Sequence, residues 1–140
     1  MATHQPLLEN WDPTFGALWG HAPLKIHHTL HENPLFSRQA LIDLIESYPR
    51  DHYALVHMGE QKDRRQWREG DPGGLKGAQI FEAIEKGRMW LNLREVSKVD
   101  KRYDEILDQM FDELASKIPG FSAPKRVCGI LISSPRAQVY

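Results

Sequence analysis

Val127-Cys128-Gly129-Ile130-Leu131-Ile132 is a strongly apolar run, and Ser133-Ser134-Pro135-Arg136-Ala137-Gln138-Val139-Tyr140 follows it to the end of the sequence. The run reads as a buried strand, and Ala137 to Tyr140 as the start of another. A strand's backbone N–H and C=O groups must be paired or kept wet. Two strands in so apolar a region predict a chain that either continues beyond Tyr140 or borrows a partner. The question set by this stretch is whether the 140 residues are a whole machine or part of one.

Working back from that end, Lys101 to Ile118 carries Tyr103, Ile106, Leu107, Met110, Phe111, Leu114 and Ile118 at helical spacing, and Pro119-Gly120 closes the helix. Arg88 to Arg94 alternates, with Met89, Leu91 and Leu93 on one face and Trp90 and Asn92 on the other. A short helix over Ala78 to Lys86 presents Ile80, Phe81 and Ile84, with Gly87 placed as a C-terminal cap. His52 to Met58 reads as a strand. Ser37 reads as the N-cap of a helix over Arg38 to Ser47, whose apolar face is Leu41, Ile42, Leu44 and Ile45. Leu24 to Leu30 alternates as a strand between Pro23 and Pro34, with His28 in an apolar interface. Gly59 to Gly74 reads as one long polar loop. Residues 1–22 have no helix or strand period and read as an ordered arm laying Trp11, Phe15 and Trp19 on the body. Helices and strands without a regular βαβ rhythm give an α+β class in one domain.

The length suits a single core. Formal net charge is −1, which argues against a nucleic-acid binder. The single cysteine, Cys128, excludes an internal disulfide and fits a reducing, cytoplasmic setting. No apolar run reaches the roughly 18 residues of a membrane span, and the first residues lack a secretory pattern.

Few residues group as chemistry requires. On a helix, His27 and His31 could share a metal; on a strand they stand roughly 13 Å apart, too far to chelate one ion. Arg64-Arg65-Gln66-Trp67-Arg68 could grip an anion or stack on a base, but Asp63, Glu69 and Asp71 nearly cancel its charge. Gly70-Asp71-Pro72-Gly73-Gly74 lacks the Gly-Lys-Ser/Thr ending of a phosphate loop. The acids Asp104, Glu105, Asp108, Asp112 and Glu113 read as the wet side of an amphipathic helix, Cys128 as an inert small hydrophobe, and Ser133-Ser134 lacks a nucleophile elbow. Trp90 and Asn92 could line a pocket or simply pack.

Three segments taken together carry a likeness: Trp11-Asp12-Pro13-Thr14-Phe15; Gly87-Arg88-Met89-Trp90-Leu91-Asn92-Leu93; and Gly129 to Pro135 with Ala137-Gln138-Val139-Tyr140. They resemble bacterial cupin-like proteins of the JmjC type, in the iron(II)- and 2-oxoglutarate-dependent oxygenase superfamily. The resemblance covers nearly the whole chain but only the family's N-terminal portion. It implies a double-stranded β-helix, left incomplete here, with helices packed on its first strands. It also implies Fe(II) and 2-oxoglutarate as cofactors of the complete protein, held by a His-x-Asp/Glu pair and a later His.

In that family the pair closely follows a strand like Ile130 to Tyr140. His4, His21, His27, His28, His31, His52 and His57 all lack an acid two positions on, so no ligand carries over. Trp90, Asn92 and Tyr140 are the residues the resemblance puts near the pocket. The leading expectation is therefore the N-terminal segment of an oxygenase, a hydroxylase of a protein side chain, inactive and poorly soluble by itself. Its partner would be the missing C-terminal half. The alternative is a non-catalytic α+β interaction or regulatory module, homodimeric through its last strands.

Overall fold

The structure, a computed structural model, describes residues 5–59 and 68–137. It is α+β, with two open antiparallel sheets and helices packed on the larger one. The chain begins with β1 (Leu8–Glu9), α1 (Phe15–Leu18), β2 (His27–His28) and α2 (Arg38–Ser47). It continues through β3 (Tyr53–His57), β4 (Arg68–Gly70), α3 (Gly77–Lys86) and β5 (Met89–Leu93). Then come α4 (Val96–Val99), α5 (Lys101–Lys117) and β6 (Ile130–Ser133). The small sheet pairs β1 with β2; the large one has the order β4-β3-β5-β6.

The long helices form for the reasons the sequence predicts. Ser37 accepts the Ala40 N–H at 3.2 Å and starts α2. Asp100 accepts the Arg102 N–H at 3.0 Å and starts α5. Gly120, at φ 77°, turns the chain out of α5. Gly87 caps α3 as expected, its N–H donating to the Ala83 carbonyl at 2.9 Å. Its backbone is extended, and a Cβ there would lie 2.8 Å from the Ala83 carbonyl and 2.9 Å from Met89 Cε. The glycine is needed for close approach.

In the large sheet, directly opposed residues share a face. Tyr53, Leu93 and Ile130 form one row and Leu55, Leu91 and Ile132 the next. This face meets Leu44 and Ile45 of α2, Ile80 and Ile84 of α3, Val96 of α4 and Tyr103 of α5 in one core. A second, smaller cluster joins Leu8, Leu114 and Ile118, with Trp11, Phe111 and Phe121 against it. The first residues are fastened there: Trp11 meets Phe15 edge-on, and Trp19 meets Phe121.

Several expectations are corrected. Residues 1–22 contain β1 and α1, both too short to show a period. The strand expected over Leu24 to Leu30 shrinks to the exposed pair His27–His28, and the chain turns into a 3-10 helix over Leu30–Glu32. His28 is therefore exposed rather than set in an apolar interface; its Nδ1 accepts the Leu30 N–H at 3.2 Å, which helps start the turn. The polar stretch Gly59 to Gly74 contains β4, a three-residue charged edge. The strand expected to be buried over Val127 to Ile132 is Ile130–Ser133, at the sheet's edge, with Val127 53% and Leu131 47% exposed. No described sheet closes into a barrel. No described helix is long and apolar enough to cross a membrane. The strand expected over Ala137 to Tyr140 and the run Arg64 to Trp67 lie largely or wholly outside the described residues.

Candidate functional site

The face of the large sheet turned away from the helices carries Ala54 and Val56 of β3, Trp90 and Asn92 of β5, and Leu131 and Ser133 of β6. The register sets Ala54, Asn92 and Leu131 in one row and Val56, Trp90 and Ser133 in the next. Burial on this face is graded. Val56 is buried, Trp90 and Asn92 are half-buried, and Leu131 and Ser133 are open. Trp90 and Asn92 thus stand together, two positions apart on a strand whose other face is fully buried, as their alternation predicts. Tyr140, the third residue expected near a pocket, lies outside the described residues.

Asn92 also marks the end of this face, where β3 begins and β5 finishes. An open cleft of about 560 Å³ lies there, lined by Asp51, His52, Asn92, Arg94, Glu95 and Cys128 among others. Arg94 is held in place by backbone: its N–H donates to the His52 carbonyl at 3.0 Å, and its guanidinium to the Asp51 carbonyl at 3.2 Å. Gly129 passes close behind, and a Cβ on it would lie 3.0 Å from the Leu93 carbonyl and 3.4 Å from Asn92 Oδ1. Glu95 adopts a left-handed backbone, φ 54°, a conformation that costs a residue with a side chain. It is the turn that starts α4.

The electrostatics of the cleft are those of a polar, structurally engaged rim. Lys98 hydrogen-bonds Glu95 and holds its carboxyl below the usual range. Beneath, the Tyr48 hydroxyl donates to the Arg94 carbonyl. Burial, with Cys128 and Glu95 nearby, pushes its pKa up to about 12. Burial likewise raises the Cys128 thiol, which leaves it a poor nucleophile at neutral pH. Its backbone N–H donates to Ser97 Oγ at 3.3 Å. Asn92, His52 and Arg94 offer donors to a small polar group. Among the described residues, no three His, Cys, Asp or Glu side chains group to hold a metal.

The other sequence candidates have structural roles. His27 and His28 are exposed on β2, and His31 pairs weakly with Glu32 at 3.8 Å. Of the acids of α5, Asp108 and Asp112 engage Arg126 at 3.0 and 3.5 Å. Glu113 does more than face water: its carboxylate accepts the Leu7 N–H at 2.8 and 3.0 Å and straps the N-terminal arm to α5. Ser134, expected only to lack a nucleophile elbow, is buried and bonded to backbone. Sequence reasoning missed the cleft residues His52, Arg94 and Glu95. They come together through the β3–β5 register and the left-handed turn at Glu95, and no spacing in the sequence announces either.

No family model, curated protein or solved structure matches the chain.

Proposed function

We propose that this chain is the N-terminal portion of a cupin-like, JmjC-type protein of the Fe(II)/2-oxoglutarate-dependent oxygenase superfamily. In that reading α2, α3 and α5 buttress the first strands of a double-stranded β-helix. The observation that carries it is the two-sided character of the large sheet. One face is sealed by helices, and the other, bearing Val56, Trp90, Asn92 and Leu131, is partly open. A second sheet laid on that face would complete the β-helix, with Trp90 and Asn92 turned inward. The complete protein would use Fe(II), 2-oxoglutarate and oxygen to hydroxylate a protein side chain.

The residues present do not fit the iron. The sequence has no His-x-Asp or His-x-Glu, and the described residues hold no metal-ligating group of three. In that reading the iron's ligands would come from residues beyond this chain. The test is Fe(II)-dependent conversion of 2-oxoglutarate to succinate. The natural gene product should show it and the 140-residue chain should not. Turnover by the 140-residue chain, or none by the natural product with iron supplied, contradicts the reading.

A second reading, a non-catalytic α+β interaction or regulatory module, is favoured by one specific feature, the uncharged edge of β6, beside which no other described strand but β5 lies. It predicts a soluble 140-residue product that unfolds cooperatively.

A further inference from the structure

The two edges of the large sheet are built differently. The β4 edge is Arg68-Glu69-Gly70, short and charged, which is how natural sheets discourage further pairing. The β6 edge lies in Val127-Cys128-Gly129-Ile130-Leu131-Ile132-Ser133-Ser134, which carries neither a charge nor a proline. Its large side chains Val127 and Leu131 are about half exposed. Among the described residues, no charge, proline or neighbouring strand guards this side.

The hydrogen-bond alternation shows what the edge offers. In an antiparallel ladder successive residues direct their N–H and C=O to opposite sides. The Met58 N–H donates to Arg88 O and the Arg94 N–H to His52 O, so the even-numbered residues of β5 bond to β3. Met89, Leu91 and Leu93 therefore bond to β6. The Ser134 N–H accordingly donates to Met89 O at 2.9 Å, in line with Ile132 opposite Leu91 and Ile130 opposite Leu93. The even-numbered residues of β6 are thus committed to β5. Leu131 and Ser133, with Gly129 in the same phase, turn their N–H and C=O outward, where no described strand lies.

We infer that in the 140-residue chain this edge pairs with a second copy of itself, antiparallel about a two-fold axis through Leu131. That axis preserves the faces of the sheet. It sets Leu131 opposite Leu131, Ile130 opposite Ile132, and Gly129 opposite Ser133. In this register the outward backbone groups of Gly129, Leu131 and Ser133 all find partners. The two half-exposed Leu131 side chains cover one another on the open face, and the isoleucines extend the helix-covered face across the axis. A second copy is the occupant that fits because the segment is neutral. It opposes no like charges to itself, and it offers no charge for a partner of opposite sign to read. Four-residue strands bury little area, so the pair is a concentration-dependent one.

The inference concerns the 140-residue polypeptide and does not rest on the oxygenase reading, which succinate formation tests separately. The experiment is molar mass by light scattering and sedimentation over a concentration series, on the wild type, Leu131→Lys and Arg68→Ser, with circular dichroism to show that each is folded. The wild type should move from 16.2 kDa toward twice that mass. Leu131→Lys places two like charges at the axis and should weaken association by about tenfold or more. Arg68→Ser, on the other edge, should change nothing. A wild type that stays monomeric throughout overturns the inference. So does a dimer that folded Leu131→Lys leaves intact, or growth past two chains, since a two-fold pair uses up the edge. Should Leu131→Lys fail to fold, Leu131→Thr provides the same comparison without a charge.

Discussion

At position 134 a hydroxyl replaces a piece of missing backbone pairing. Ser134 is 2% exposed. Its Oγ accepts the Met89 N–H at 3.0 Å and donates to the Ile84 carbonyl. Ile84 lies in the last turn of α3, where carbonyls lack helical partners, so one side chain closes the end of α3 and the start of β5 together. Ser134→Ala leaves a buried donor and a buried acceptor unpaired and should cost about 1–3 kcal/mol in urea unfolding. A loss under about 0.5 kcal/mol, the size of an ordinary surface change, would show that these bonds are replaceable. Gly77 works by being small. A Cβ there would sit 2.5 Å from the Ile42 carbonyl and 2.9 Å from the Glu46 N, while one on Gly74 meets nothing within 4 Å. Gly77→Ala should therefore destabilise by about 1–3 kcal/mol through overpacking of α2 against α3, with Gly74→Ala close to neutral. Equal effects from the two would place the cause in the unfolded chain and not in the packing.

Between elements, two buried phenols act as ties. Tyr48 follows α2 and donates to the Arg94 carbonyl at the end of β5; Tyr103 of α5 donates to the Leu35 carbonyl at 2.7 Å. Burial raises both pKa values, that of Tyr48 from 10.0 to about 12. The folded state thus keeps protons that the unfolded state releases, so both contributions are fully present below about pH 10 and are lost above it, that of Tyr48 as pH rises through about 12. Unfolding midpoints measured from about pH 9 to 12 should fall, and Tyr48→Phe should make that fall shallower. A fall of unchanged steepness would remove Tyr48 from the account.

The elements themselves were readable to very different degrees. The helix over Arg38–Ser47 was legible to the residue because its cap, its apolar face and Pro49 agree, and the helix from Lys101 for similar reasons. The strands over Tyr53–His57 and Met89–Leu93 showed in their alternation. Two-residue β1 and β2, three-residue β4 and four-residue α1 and α4 are too short to carry a period. The alternation over Leu24 to Leu30 misled because the chain leaves the strand at Thr29 to enter a 3-10 turn. The apolar content of Val127 to Ile132 cannot distinguish a central strand from an edge one, and the edge position leaves Val127 and Leu131 about half exposed. Of the candidate site, Trp90 and Asn92 were placed on the correct face by period two alone. The cleft at His52, Arg94 and Glu95 depends on register and on one left-handed residue, which the sequence does not display.

For the whole molecule, everything turns on what completes the large sheet. Its helix-covered face is packed, its β4 edge is short and charged, and its other face and β6 edge meet no further strand among the described residues. In the proposed oxygenase reading, further chain in the natural protein would take up that remainder. The same physics predicts that a longer product is monomeric under conditions where the 140-residue chain pairs, because its own strands take the β6 edge. The measurement that tests this most directly is the intact mass of the natural gene product. The oxygenase proposal requires a mass about twice 16.2 kDa, with a His-x-Asp or His-x-Glu pair and a distal His in the added residues. A natural product of 16.2 kDa would contradict it and leave a self-contained interaction module in its place.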